Sequence, residues 1–318
     1  MSEQLRVVVM DDYQQIISDY ADWASLGPST SVTFLRDHLG GAELITALAA
    51  ADVVVAVRER TPLPAAVLGR LPRLRLIVTA GMNNASIDVA AARDGGIEVC
   101  GTRGVDGSAA EHTWALIMAL LRNIPIEDAN IRAGGWQTTI GVDLEGRTLG
   151  LIGLGRLGRR VARVGLAFGM EVLAWSSNLD HDVARDAGVI PVSKEELLRR
   201  SDLVSLHLRL SDRSRGTLGA AELRLMRPTA YLINTSRGPL VDEAALIRAL
   251  DQGWIAGAAL DVYDAEPLPA DHPLRRTTNT VLTGHLGYVT EDSYRRFFTD
   301  AVEDIAAWSA GYPIRRLT

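Results

Sequence analysis

Arg237, Glu266 and His285 each stand just beyond a short apolar run, and together they hold what reduction of a carbonyl requires. A histidine gives and takes protons near neutral pH. A carboxylate beside it fixes its tautomer and favours its charged form, and an arginine grips a carboxylate in a bidentate fork. Around a 2-oxo acid, His285 would protonate the oxyanion that develops as hydride reaches the carbonyl carbon, and Arg237 would stabilise it by charge. Taken singly, each also fits a plain structural use: Arg237 as a strand-end cap, Glu266 as a solvated turn residue before Pro267, and His285 as a satisfied histidine between Gly284 and Leu286.

A source of hydride is written earlier in the chain. The apolar run 149–152 leads directly into Gly153-Leu154-Gly155-Arg156-Leu157-Gly158, and a helical pattern starting Arg159-Arg160-Val161-Ala162 follows. Gly153 permits the tight turn, Gly155 lets the backbone approach a pyrophosphate and Gly158 lets helix pack on strand, so free N–H groups and the helix dipole face the anion. The βαβ context is completed by a second strand, Glu171 to Trp175. An acidic residue at the end of that strand would bind the ribose hydroxyls of NAD. Here Trp175-Ser176-Ser177-Asn178 follows, and Asp180 arrives late in a loop. With Ser176 in place of an acid, nothing repels a 2′-phosphate, and Arg156 or Arg209 could bind one. The cofactor reading is therefore NAD(P)(H) with a lean to NADP, and a site tolerant of both is the alternative.

These residues need a scaffold of strands and helices. The 318 residues are 47% hydrophobic and 23% charged, which suits a soluble chain of two domains. A net charge of -6 without a basic run argues against nucleic acid as partner, and no apolar stretch is long enough to span a membrane. The single cysteine, Cys100, reads as a buried and inert thiol, and the expected compartment is the cytoplasm. Continuous apolar runs recur between helical patterns: Leu5 to Met10, Val53 to Val57, Leu74 to Ala80 and Ile97 to Cys100, then Leu149 to Ile152, Val172 to Trp175, Leu203 to Leu208, Tyr231 to Asn234, Ala258 to Val262 and Val281 to Thr283. Such runs make parallel sheet covered on both faces, so the fold class is α/β with two doubly wound lobes.

The expected division is 1–100 as a first lobe, completed by 289–318, and 101–288 as a dinucleotide-binding Rossmann domain. Ser108-Ala109-Ala110-Glu111 reads as a capping box opening an apolar helix to Leu121, whose excess of apolar residues fits a subunit interface or, equally, ordinary core. The other histidines, His38, His112, His181, His207 and His272, form no metal-spaced cluster, and no metal site is expected. His207 ends a strand near the cofactor.

Four ordered stretches give the chain a family likeness. Asn234-Thr235-Ser236-Arg237-Gly238, Asp261 through Pro269, and Thr283-Gly284-His285-Leu286-Gly287, following the glycine fingerprint, closely resemble the D-isomer-specific 2-hydroxyacid dehydrogenases. The likeness extends over nearly the whole chain and includes Ala110-Glu111-His112-Thr113 and the loop Thr79 to Asn84. It implies a flavodoxin-like substrate-binding lobe beside the Rossmann domain, a homodimer formed through the latter, and a small 2-oxo or 2-hydroxy acid as substrate. Arg237 would anchor that substrate, His285 would be the general acid/base and Glu266 its orienting partner. Asp261 would bind the nicotinamide carboxamide, and Thr235 and His207 would lie along the cofactor. Gly81 and Met82 would offer N–H groups to the substrate carboxylate, and the stretch Arg58 to Arg60 would lie across the cleft.

The chain departs from the family where Gly284 replaces a proline before the catalytic histidine, where Arg209 replaces another beyond His207, and where Tyr288 fills the bend past His285. A glyoxylate or hydroxypyruvate reductase is the leading reading. A phosphite dehydrogenase would keep the same three residues, whereas a formate dehydrogenase carries glutamine at the position of Glu266. A non-catalytic NAD(H) sensor of the corepressor kind shares the fold, but the full catalytic set argues against it.

Overall fold

The computed structural model describes residues 4–317. Two compact units divide the chain, Met1–Asp106 with Val289–Thr318, and Gly107–Tyr288. Each is an α/β lobe built on one parallel sheet.

The first unit holds β1 (Leu5–Val9), β2 (Thr30–Phe34), β3 (Val53–Ala56), β4 (Leu76–Thr79) and β5 (Glu98–Gly101), in the order β2-β1-β3-β4-β5, which is the flavodoxin-like arrangement. Central strands β3 and β4 read VVVA and LIVT with every residue buried, because helices cover both faces and alternation would place a polar group in the core. Each such valine, isoleucine or leucine contributes about 1.5–3 kcal/mol of burial. Edge strand β2 has no buried residue, which is why the apolar-run pattern missed it.

The helix Glu291–Ser309 belongs to this unit. Its Tyr294 meets Tyr20 edge-on at 5.6 Å, and its buried Asp300 accepts from the Arg103 backbone N–H at 2.8 Å and from the Arg103 guanidinium at 3.0 and 2.6 Å. Beyond the helix, the chain pairs antiparallel with β5 through Gly101 N–H to Arg315 O at 2.9 Å and Leu317 N–H to Val99 O at 2.8 Å. Cys100 is buried within that strand, and burial pushes its thiol up to about 12, so it is inert.

The second unit holds β6 (Thr148–Ile152), β7 (Glu171–Trp175), β8 (Ile190–Pro191), β9 (Leu203–Leu206), β10 (Tyr231–Asn234), β11 (Gly257–Leu260) and β12 (Thr280–Leu282). Their order, β12-β11-β10-β9-β6-β7-β8, reverses direction between β6 and β9, and that reversal is where a doubly wound sheet opens a crevice for a ligand. The helix Ser108–Leu121 has Gly107, at φ 141°, as its N-cap, one residue before the Ser108 that the sequence offers for that position. Its Trp114, Leu116, Ile117, Leu120 and Leu121 are all buried with Leu149, Val161 and Val172. Of the two readings of its apolar excess, these residues meet the core one.

Candidate active site

The fingerprint turn lies at the reversal point. Gly153 has φ 103°, and a Cβ there would sit 2.7 Å from the His207 carbonyl oxygen, while a Cβ on Gly158 would overlap the carbonyl of Gly153. Both glycines are thus demanded by the chain itself. Gly155 differs: a Cβ on it would meet nothing within 4 Å. It precedes the helix Arg156–Ala167, whose first backbone bond runs from Arg159 N–H to Gly155 O at 3.0 Å. The N–H groups of Leu157 and Gly158 make no hydrogen bond among the described residues. Open space, unbonded donors and the positive end of a helix dipole fit a pyrophosphate.

At the end of β7, Ser176 is half-buried. Asp180 caps the helix His181–Asp186, accepting from Asp182 N–H at 3.0 Å and Val183 N–H at 3.1 Å, so its carboxylate is engaged there. After β9, His207 Nε2 lies 2.9 Å from Ser205 Oγ, and burial pulls the imidazole down to about 4, which keeps it neutral.

Beyond β10, the turn carrying Arg237 is stitched on several sides. Asn234 Nδ2 donates to Arg237 O at 2.9 Å, Ser236 N–H donates to Asn234 Oδ1 at 3.1 Å, and Ser236 Oγ donates to Leu206 O at 2.6 Å. Arg237 Nη1 donates to Ser236 O at 2.6 Å, and Thr235 Oγ1 lies 2.7 Å from Thr113 Oγ1. Beyond β11, Glu266 Oε1 accepts from Tyr263 N–H at 2.9 Å, and its Oε2 lies 2.7 Å from His285 Nδ1. That bond assigns the His285 Nδ1 proton, leaving Nε2, which has no hydrogen-bond partner among the described residues, as the working atom. The Tyr288 ring stands edge-on to His285 at 5.4 Å.

Asp261 is enclosed by partners of its own lobe. It is fully buried, and its carboxylate accepts from Thr283 Oγ1 at 2.6 Å, Leu286 N–H at 2.7 Å and Gly287 N–H at 2.9 Å, with His112 Nε2 at 3.2 Å. Burial alone would raise its pKa, but the hydrogen bonds from His112, Thr283 and Leu286 outweigh it and hold the carboxyl below its ordinary value. Held in this way, the carboxylate is tied to the His285 loop. His112, read from sequence as a bystander, is its partner.

The remaining sequence candidates lie on the first unit. Arg58 has φ 55° and donates through Nη1 to Ala80 O at 3.3 Å, with its guanidinium where a Cβ on Gly81 would be. Gly81, at φ 96°, donates its N–H to Thr102 Oγ1 at 2.8 Å, so that donor is engaged within the lobe. Met82 is exposed, and its N–H has no partner among the described residues. Arg60 is buried and donates to Asp11 O at 2.6 Å and Tyr294 OH at 3.1 Å.

The family model for the NAD-binding domain of D-isomer-specific 2-hydroxyacid dehydrogenases matches residues 114–287. A glyoxylate reductase of Aeropyrum pernix is 42% identical over 254 residues, 77% of this chain and 76% of that protein. A D-3-phosphoglycerate dehydrogenase of Archaeoglobus fulgidus is 36% identical over 314 residues, 98% of this chain and 58% of that protein. The crystal structure of a phosphoglycerate oxidoreductase from Vibrio cholerae O395 matches with a TM-score of 0.92 at 34% identity, over 96% of this chain and 99% of that one.

Proposed function

The chain belongs to the D-isomer-specific 2-hydroxyacid dehydrogenase family, and on that premise we propose that it reduces a small 2-oxo acid of the glyoxylate or hydroxypyruvate kind to the D-2-hydroxy acid. The observation that carries this reading is the 2.7 Å Glu266–His285 pair with Nε2 of His285 left open. The Gly153–Gly158 turn would hold the pyrophosphate of the dinucleotide, whose reduced nicotinamide would supply the hydride when bound. His285 Nε2 gives its proton to the carbonyl oxygen as that oxygen gains charge, and Glu266 Oε2 keeps the ring's Nδ1 proton in place throughout. Arg237 holds the substrate carboxylate and stabilises the oxyanion. From the first lobe, Arg58 and the Met82 N–H are assigned to the substrate, with Gly81 shaping their loop. One carbonyl, one hydride and one proton give one alcohol, so reduction consumes a proton.

Ser176 at the end of β7, with Asp180 engaged as a helix cap, supports acceptance of NADPH at least as readily as NADH. The cytoplasm suits a chain whose single thiol is buried and inert. We also assign a homodimer through the dinucleotide-binding lobe, on a face other than the helix Ser108–Leu121. The helix Ile124–Arg132 has no buried residue yet carries Ile124, Ile126 and Ile131, and after it Trp136 is 75% and Ile140 94% exposed. Glu127 Oε1 pins the following segment by accepting from the N–H and hydroxyl of both Thr138 and Thr139, and these bonds, the Thr139 hydroxyl first, hold its carboxyl down at about 2. A rigid apolar face of this kind is what a second copy would cover. Trp136→Glu should halve the sedimenting mass, and an unchanged mass would remove the assignment.

The test of the activity is turnover of glyoxylate, hydroxypyruvate and phenylpyruvate, and of phosphite with oxidised cofactor, each with both nicotinamides. Turnover of a 2-oxo acid that falls roughly 100- to 10,000-fold in His285→Ala, at unchanged cofactor affinity, is expected. Cofactor binding without turnover of any member would favour the sensor.

A further inference from the structure

We propose that His112 is a positioning residue: acting through Asp261, it holds the loop that presents His285. This rests on the reading of His285 as proton donor. His112 Nε2 lies 3.2 Å from Asp261 Oδ1 and 3.1 Å from Thr283 Oγ1. Thr283 has one hydroxyl proton, and it goes to Asp261 Oδ1 at 2.6 Å. Both oxygens facing His112 are therefore acceptors, so Nε2 carries a proton and bridges them.

Asp261 passes that restraint to the loop. Its backbone carbonyl accepts from His285 N–H at 2.7 Å, and its carboxylate accepts from the next two N–H groups, Leu286 at 2.7 Å and Gly287 at 2.9 Å. Three consecutive amides are tied to a single residue. The restraint is needed, because His285 sits at φ 57°, a left-handed conformation that costs a non-glycine residue about 1–2 kcal/mol. Gly284 before it adds no ring to limit the backbone. Removing the His112 donor leaves a buried carboxylate with fewer partners and freedom to rotate, and the amides of 286 and 287 lose their fixed acceptor.

His112→Phe, which fills the space without a donor, and His112→Gln, which restores an N–H, make the comparison. The phenylalanine variant should lose about 10- to 100-fold in kcat, as small displacements of catalytic groups do, with KM and cofactor Kd within about twofold. Hydrogen exchange at the amides of Leu286 and Gly287 should quicken by about tenfold or more, and glutamine should recover most of both. Thr283→Val tests the same link from the other side, should the phenylalanine variant fail to fold. Unchanged exchange at 286 and 287 in a folded variant, or equal losses with phenylalanine and glutamine, would overturn the proposal. If His285→Ala kept its activity, the catalytic reading would fall while the exchange result still judged the link between His112 and the loop.

Discussion

Substituting the fingerprint glycines one at a time separates what the fold requires from what the ligand requires. A Cβ on Gly158 would overlap the carbonyl oxygen of Gly153, a backbone atom that cannot swing aside. Overpacking of this kind costs about 1–3 kcal/mol, and for a lobe of this size each kcal/mol lowers Tm by about 2–4 °C. Gly158→Ala should therefore melt several degrees early even without cofactor. At Gly155, φ is -75° and ψ -159°, open to any residue, and the added methyl meets nothing within 4 Å. Gly155→Ala gains about 0.4–1 kcal/mol from a less flexible unfolded chain and loses a similar amount at a helix N-cap, so its Tm should stay near wild type. The methyl would nevertheless stand where a pyrophosphate must approach the N–H groups of Leu157 and Gly158. Losing one hydrogen bond to a charged group costs about 1.5–3 kcal/mol, or roughly tenfold to 150-fold in Kd. Thermal melts paired with fluorescence titration of NADPH and NADH would read both effects. A Gly155→Ala protein that binds either nucleotide within about threefold of wild type would refute the placement of the phosphates.

Arg237→Lys keeps the charge but not the fork, so it should raise KM and lower kcat together in steady-state kinetics, and an unchanged kcat/KM would make Arg237 structural. Ser176→Asp should move relative kcat/KM towards NADH by about tenfold to a hundredfold, and a wild type that already strongly prefers NADH, with no change in the variant, would place ribose recognition elsewhere. Asp304 is buried in the helix Glu291–Ser309, and burial lifts its carboxyl to about 7 even though Arg315 Nε bonds its Oδ1 at 3.0 Å. The native state then holds a proton that the unfolded chain has released, so urea midpoints should fall as pH rises from about 4 to 7. Asp304→Asn keeps an acceptor for Arg315 and should flatten that slope, and an unaltered slope would assign it to another group.

Legibility in the sequence followed burial. β3, β4 and β6 announce themselves because strands covered on both faces must be apolar throughout. β2 and the two-residue β8 lie at sheet edges, where half-exposed positions admit Ser, Thr and Pro, and they leave no such run. The helix Ser108–Leu121 was ambiguous for a related reason: an apolar surface on all sides looks the same in sequence whether a second subunit or the lobe's own core covers it. Arg237, Glu266 and His285 stand out in the sequence as polar residues beyond the carboxyl ends of parallel strands, and the structure brings Glu266 and His285 together there.

The pair His112 and Asp261 was not legible, and the reason is geometric. The two residues are 149 positions apart, and nothing local in either stretch marks the other. Asp261 at a strand end stands out by the same rule that singles out Arg237, because the rule sees position along a strand and not direction of the side chain. Only the sheet order resolves it: β11 lies beside β12 with Leu260 opposite Leu282, so Asp261 and Thr283 are neighbours just beyond the ladder, and His285 must turn back over them. A carboxylate at that point faces two amides of the returning loop, those of Leu286 and Gly287, while the backbone carbonyl of the same residue takes the third, from His285. Burying the resulting negative charge then calls for a further donor, and the first turn of the helix Ser108–Leu121 supplies it in His112. His285 is thus held from two directions, at its ring by Glu266 and at its backbone by Asp261, and only the first of these is visible from residue type and order alone.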